Sequence, residues 1–402
     1  MTANLEMVKE AQKILEGNVE KTPIYTASRM GKNLYIKMEN LQKTGSFKIR
    51  GAFNKIAHLT PEQAKKGVIS CSAGNHAQGV ALSATRQGIK SYICIPSIAP
   101  LSKIEATRGY GGEVIIVDGT FDDAQERAYE LQKEYDYTYV APFDDEYVLS
   151  GQGTIGLEIL EQLPDVKYIV VPIGGGGLIA GIAMAVKSIK PDVKIIGVEP
   201  ENAASMLASR KAGKIVTLDS ANTMADGIAV KKPGEITFEL CEKYVDEIVT
   251  VSEDEITNAI LRLLEESKVS AEGAGASSVA AVLNDKYDFS DGKVCCVLSG
   301  GNINVNTISS IITKGLFESG RLTEITTTLL DKPGELIKLL DIIRNEGANI
   351  MTIHQEKSAT IADFNQALVR IVCETYNHEH RKTVYNKLKE AGYTEAILEV
   401  KH

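Results

Sequence analysis

Lys48 lies in the stretch Thr44-Gly45-Ser46-Phe47-Lys48-Ile49-Arg50-Gly51-Ala52, and its surroundings set it apart from the other lysines of the chain. The run Leu34-Tyr35-Ile36-Lys37-Met38-Glu39 reads as a strand, while Ile49, Ala52, Phe53, Ile56 and Ala57 recur at helical spacing from Lys48 onward. Gly45 and Ser46 then form the turn between the two, with Ser46 as the expected N-cap. A lysine that opens a helix meets the positive end of the helix dipole and is partly withdrawn from water. Both effects disfavour the ammonium and lower its pKa. An amine that is neutral near physiological pH can form a Schiff base with an aldehyde. Most lysines are merely solvated, so the other loops must supply a reason for such chemistry here.

Three of them do. Gly174-Gly175-Gly176-Gly177 follows a strand (Tyr168 to Ile173) and precedes a helix (Leu178 to Ile189). Backbone N–H groups there converge on the positive end of a helix, which suits a phosphate, whereas a plain tight turn needs fewer glycines. Ser72-Ala73-Gly74-Asn75-His76 also links a strand to a helix, and its hydroxyl, amide and N–H groups suit a carboxylate. An ordinary N-cap is the plainer reading of that loop. Ser299-Gly300-Gly301-Asn302, after the strand Lys293 to Leu298, is a third loop of the kind. One decoy stands beside them. Gly151-Gln152-Gly153-Thr154-Ile155-Gly156 matches G-x-G-x-x-G, but Asp144-Asp145-Glu146 separates it from any strand and no acidic strand end follows, so a nicotinamide dinucleotide is not expected.

The elements that must position these loops alternate along the chain. Strands are expected at Gly67 to Cys71, Ser91 to Pro96, Glu113 to Val117, Tyr168 to Ile173, Lys194 to Glu199 and Lys293 to Leu298. Helices are expected at Ala77 to Arg86, Phe121 to Glu134, Thr154 to Leu160, Leu178 to Ile189 and Glu253 to Ser267. Such alternation implies an α/β fold with parallel sheets covered on both faces, where ligands gather at the carboxyl ends of strands. The pattern changes after about Gly320. Strands at Leu322 to Leu330, Asn349 to Lys357, Phe364 to Glu374 and Glu395 to Val400, with helices at Lys338 to Glu346 and His378 to Glu390, give the order βαββαβ of a separate ferredoxin-like domain. The expected domains are therefore 1–317 and 322–402, joined by a linker at 315–321.

Composition excludes several classes. Forty-four basic against 53 acidic residues give a net charge of −9 without a basic stripe, so no nucleic-acid partner is expected. No apolar run reaches the roughly 18 residues of a membrane span. The start lacks the order of a signal peptide, and a cytoplasmic location is expected. The six cysteines have no C-x-x-C spacing and read as buried reduced thiols. The histidines form no H-E-x-x-H or Cys/His cluster, so no transition-metal site is expected.

Taken in order, S-F-K-I-R-G-A, S-A-G-N-H-A-Q-G and G-G-G-G-L resemble the fold-type II pyridoxal-phosphate enzymes, and among them the threonine dehydratase (threonine ammonia-lyase) family. The resemblance runs from about residue 5 to 317. Cysteine and threonine synthases usually carry aspartate where Ile49 stands. The tail, with Asp331-Lys332-Pro333-Gly334-Glu335-Leu336, resembles an ACT regulatory domain. The resemblance implies two parallel-sheet lobes, pyridoxal 5'-phosphate on Lys48, and elimination of water from L-threonine to give 2-oxobutanoate and ammonia, or from L-serine to give pyruvate. It places Gly174, Gly175, Gly176, Gly177 and Leu178 at the phosphate, Asn75 at the pyridine 3-hydroxyl, Ser299 at the ring nitrogen and Phe47 against the ring. Ser72, Gly74, Asn75 and His76 would cradle the substrate carboxylate. Serine racemase is similar too, but its second base is a serine where this chain has Ala73. A cation site of these relatives matches Glu199 and Ala203, while Ser205 replaces an aspartate; that leaves a monovalent rather than a divalent ion. Isoleucine or valine as effector and a dimeric or tetrameric homo-oligomer are implied by the same resemblance. A catalytically inert amino-acid sensor is the alternative from another class.

Overall fold

The computed structural model describes residues 3–357 and 365–393. Two compact units divide the chain, Met1–Ile303 and Asn304–His402.

The first unit holds two sheets. The larger has the order Ile24–Thr26, Leu34–Lys37, Lys293–Val297, Val166–Pro172, Lys194–Pro200, Glu247–Val251. All its neighbours are parallel except the first pair. The smaller sheet is fully parallel, in the order Glu113–Val117, Ser91–Pro96, Val68–Cys71, Thr138–Tyr139. The β-branched runs are near-continuously apolar because helices cover both faces, as parallel sheets require. Val166–Pro172, for example, is buried at every position but Lys167. The strands Ile24–Thr26, Thr138–Tyr139 and Glu247–Val251 escape the sequence reading; the first two are too short to show a period.

Two expectations are corrected. The helix expected at Thr154 to Leu160 spans Glu146–Gln162. Asp145 is its N-cap, accepting from the N–H groups of Tyr147 (2.9 Å) and Val148 (3.1 Å), so the acidic run starts the helix instead of breaking the chain. The G-x-G-x-x-G stretch therefore lies inside a buried helix, where it packs against neighbouring helices. The helix Lys48–Ala57 is entered through Phe47 in αR conformation, without a side-chain cap. Ser46 is not the N-cap. It forms an isolated bridge to Gly300, and its Oγ is buried with no hydrogen-bond partner among the described residues.

In the second unit the strands order as Leu322–Leu330, Gln366–Glu374, Asn349–Glu356, all antiparallel. Helices Glu335–Asn345 and His378–Glu390 pack on one face around Ile325, Leu339, Ile343, Ile371 and Val384. These are the first five elements of the expected βαββαβ order; the strand expected at Glu395 to Val400 lies outside the described residues. The division between units falls ahead of the expected linker. Helix Val305–Glu318 runs into the strand Leu322–Leu330 through a tight turn in which the Arg321 N–H donates to the Leu316 carbonyl at 2.8 Å.

Candidate active site

Lys48 is placed by the backbone on both sides of it. The Phe47 N–H donates to the Ser299 carbonyl at 3.1 Å, and Gly301 N–H to the Gly45 carbonyl at 2.9 Å. These bonds lace the Ser299 loop to the turn before Lys48. Gly79, one turn into the helix Asn75–Arg86, lies so close that a methyl group there would stand 3.1 Å from the Ile49 nitrogen. The ammonium of Lys48 donates to the Pro142 carbonyl at 2.7 Å and stands 5.2 Å from the centre of the Phe47 ring. Burial pushes its pKa down to about 8, against the opposing pull of the Glu272 carboxylate.

Pro142 leads into Phe143, and Phe143 fills the space behind the tetraglycine. A methyl group at Gly175 would overlap its ring at 2.4 Å, and one at Gly177 would meet its Cβ at 2.8 Å. Only Gly176 needs glycine for its backbone, with φ of 95°. Close packing from within the protein therefore explains much of the run. Gly177 begins the helix Gly177–Ile189, so the N–H groups of Gly177, Leu178 and Ile179 have no partner inside it. The Leu178 side chain is core; its contribution to an anion is its N–H. Thr237 fastens the loop by donating its hydroxyl to the Gly175 carbonyl at 2.6 Å.

The Ser72–His76 loop divides into two parts. The Ser72 hydroxyl accepts from the Gly74 N–H at 3.2 Å and keeps its own proton to donate. His76 turns its imidazole away, with Nε2 2.9 Å from the Val140 carbonyl. Burial and the charge of Lys48 push its pKa down to about 3. The ring is thus neutral, with its proton on Nε2 and a bare, buried Nδ1. A carboxylate could take only the main-chain N–H of His76. The Asn75 amide donates to both oxygens of Glu272, at 2.8 and 3.0 Å, and its oxygen accepts from Asn302 at 2.7 Å.

Lys48, Phe47, Asn75, the tetraglycine and Ser299 thus form one constellation: Phe47 bonds Ser299 directly, Pro142 and Phe143 join Lys48 to the tetraglycine, and Glu272 joins Asn75 to the loop that begins at Ser299. The residue-type model for pyridoxal-phosphate dependent enzymes matches residues 15–300 of this sequence. The chain belongs to the pyridoxal-phosphate dependent enzymes. An L-threonine ammonia-lyase of Thermotoga maritima is 51% identical over 398 residues, covering 98% of this chain and 99% of the relative. The structure of maize serine racemase is similar with a TM-score of 0.74 and 38% identity, over 79% of this chain and 99% of that one. The processed form of threonine deaminase isoform 2 from Solanum lycopersicum follows at 0.73 and 40%, over 77% and 86%.

The donor set fits the cofactor that this family carries: a near-neutral amine for its aldehyde, unpaired N–H groups at a helix start for its phosphate, and an amide for its ring oxygen. Sequence reasoning missed Glu272 and Pro142 as site residues, and it placed Asn302 in the Ser299 loop without giving it a role. Glu272 is buried, and burial pushes its pKa up to about 7. Its only local signal is a lone carboxylate before the small-residue helix Gly273–Leu283.

Proposed function

We propose that this enzyme removes water from L-threonine to give 2-oxobutanoate and ammonia, and treats L-serine in the same way to give pyruvate. The observation that carries the reading is Lys48, an amine brought to about 8 at the meeting point of the loops. Pyridoxal phosphate, when bound, supplies the aldehyde that takes up the substrate amine and the sink for the electrons left at Cα. Gly174 to Gly177 and the N–H of Leu178 hold its phosphate, Asn75 its 3-hydroxyl and Ser299 its ring nitrogen, with Phe47 against the ring. The Ser72 hydroxyl and the N–H groups of Asn75 and His76 hold the substrate carboxylate, with Gly74 shaping the loop and giving its own N–H to Ser72. Lys48, once released, is the base that accepts the Cα proton, since a pKa near the working pH leaves a usable neutral fraction. The purified protein with pyridoxal phosphate and L-threonine should release a 2-oxo acid, and Lys48→Ala should not; turnover retained in that variant defeats the assignment.

The likeness to serine racemase favours one rival, in which a second base returns a proton to the opposite face. Ala73 holds the position that the resemblance gives to that base, and a methyl group carries no proton. Chiral analysis of L-serine reactions should find no D-serine.

For the second unit we propose an ACT-like regulatory role, with isoleucine or valine as effector near Asp331 to Leu336 and a homo-oligomeric assembly. Equilibrium dialysis with each amino acid tests it. A monovalent cation is the proposed occupant beside Glu199, Ala203 and Ser205. Glu199 is fully buried, its oxygens accept the N–H groups of Met206 and Leu207 at 2.8 Å each, and Ser205 Oγ is buried without a partner among the described residues. A cation there would give the carboxylate a counter-charge.

A further inference from the structure

Asn75 is the donor that the proposed function assigns to the cofactor's 3-hydroxyl, yet both hydrogen bonds of its amide nitrogen go to Glu272. Glu272 has little freedom to retreat. Its own N–H donates to the Gly300 carbonyl at 3.1 Å, and a methyl group at Gly300 would stand 2.3 Å from its Oε1. A methyl group at Gly227 would lie 3.5 Å from the same oxygen. The carboxyl is therefore held at Asn75 by its backbone bond to Gly300 and by the close approach of Gly300 itself.

The charges that face it are few. Lys48 and Lys103 favour its ionised form, Asp226 opposes it, and Lys103 is itself paired with Asp226 at 2.5 Å. Lys48 is the cation that cofactor binding changes. Joining its amine to the cofactor's aldehyde would release one water and leave a nitrogen whose charge the cofactor's own ring oxygen would balance. Glu272 loses its counter-charge at the moment a second anionic oxygen reaches the same amide. A buried carboxylate left in that state is costly, and protonation is the ordinary way out.

We propose that Glu272 is a proton-holding residue of the cofactor site, ionised beside free Lys48 and converted to the neutral acid when the cofactor's oxygen joins it at Asn75. Loading the enzyme then takes up a proton from solvent. This deepens the reading of the site as a pyridoxal-phosphate site and rests on it.

The test compares cofactor-free native protein with Glu272→Gln, whose amide mimics the neutral acid. With a carboxyl near 7 in the free site, about ten parts are ionised to one neutral at pH 8. Pyridoxal phosphate should therefore bind Glu272→Gln about tenfold more tightly than native at pH 8, and with equal affinity at pH 6. Titration of the cofactor is common to both proteins, and the pull of Glu272 on Lys48 belongs to the ionised carboxyl alone, so it is absent from the variant as it is from the native protein at pH 6. In parallel, the infrared difference spectrum of the native protein should gain the carbonyl stretch of a protonated carboxylic acid when the cofactor is added. An affinity ratio that does not change with pH overturns the proposal. So does a native spectrum without the new stretch, which decides the matter even where the variant fails to fold. Failure of native protein to form any visible Schiff-base band overturns both the proposal and the cofactor reading beneath it, and is told apart by that band alone.

Discussion

Replacing Arg50 by methionine should be among the most damaging single changes in the first unit. Arg50, Lys37 and Glu39 are fully buried, and Glu158 is nearly so. The guanidinium grips Glu39 at 2.8 Å through both Nε and Nη2, and Glu158 at 2.6 and 3.0 Å. Lys37 closes the group at 2.6 Å from Glu158. Two cations and two anions balance, so the cluster costs little only while it is whole. Without Arg50, Lys37 still serves Glu158, but Glu39 loses its two hydrogen bonds to the guanidinium and keeps the Thr22 hydroxyl at 2.5 Å and the weaker Coulombic pull of Lys37. An uncompensated buried charge costs about 3–5 kcal/mol. The assay is guanidinium unfolding of the cofactor-free protein followed by far-ultraviolet circular dichroism. The Coulombic pull of Arg50 lowers the pKa of Glu39 in the native protein against its burial, and removing it leaves burial to raise that pKa. The deficit should therefore shrink as pH falls and Glu39 takes a proton. Adding Glu39→Gln to the variant should recover about 1–3 kcal/mol relative to the sum of the single changes, because the two partners are in contact. A loss below about 1 kcal/mol, or strict additivity, would refute the account of a neutral, interdependent cluster.

Other outcomes follow from single groups. At fixed pyridoxal phosphate, the stopped-flow rate of Schiff-base formation should rise about tenfold per pH unit below 8 and level off above it, as the Lys48 amine loses its proton. Gly181→Ala should destabilise by about 1–3 kcal/mol in thermal unfolding, since the new methyl group would stand 2.3 Å from the Leu149 carbonyl. Glu199 is raised by burial from 4.5 to about 7, so its favourable contribution is complete below 4.5 and is lost as pH rises through 7. Potassium should raise the melting temperature of the native protein above pH 7, and Glu199→Gln should both flatten the pH dependence and remove the potassium effect.

What the sequence made legible was local. A strand, a loop of small or polar residues and a helix start lie within about a dozen positions, so the loops around Lys48, Asn75, Gly174 and Ser299 could be read without knowing their neighbours. The same locality misled at Ser46, where the residue type of an N-cap is present but tertiary pairing with Gly300 takes its backbone instead. Pro142 meets Lys48 across 94 positions and Glu272 meets Asn75 across 197. No periodicity marks such partners. Pro142 acts through a carbonyl, which every residue has, and Glu272 shows only as one acid among small residues. The Glu39, Lys37 and Glu158 of the buried cluster were likewise hidden, because each charge reads as a solvated residue until its partners are known.

The decoy motif explains how Lys48 and the tetraglycine loop come to be held at a set spacing. The helix Glu146–Gln162 lies between the helix that carries Lys48 and the helix that starts at Gly177, and its glycines address them in turn. A methyl group at Gly151 would stand 2.6 Å from the Arg50 carbonyl, and one at Gly51 would meet the Val148 carbonyl at 2.7 Å. On the other side, a methyl group at Gly153 would stand 2.9 Å from the Gly181 carbonyl, and one at Gly156 would stand 2.9 Å from the Val186 side chain. Helix axes normally lie about 8–10 Å apart, depending on the side chains between them, and glycine at both faces allows the near end of that range. Spaced at i, i+2 and i+5, the three glycines cannot share one face of a helix. In a dinucleotide site that spacing serves a turn and a pyrophosphate; inside this buried helix it serves two neighbours. Lys48 and the helix start at Gly177 are therefore separated by one close-packed helix rather than by a loop, and Arg50 pins the first of these contacts through Glu158 on the same middle helix. The rigidity that a Schiff-base site requires comes from that stack.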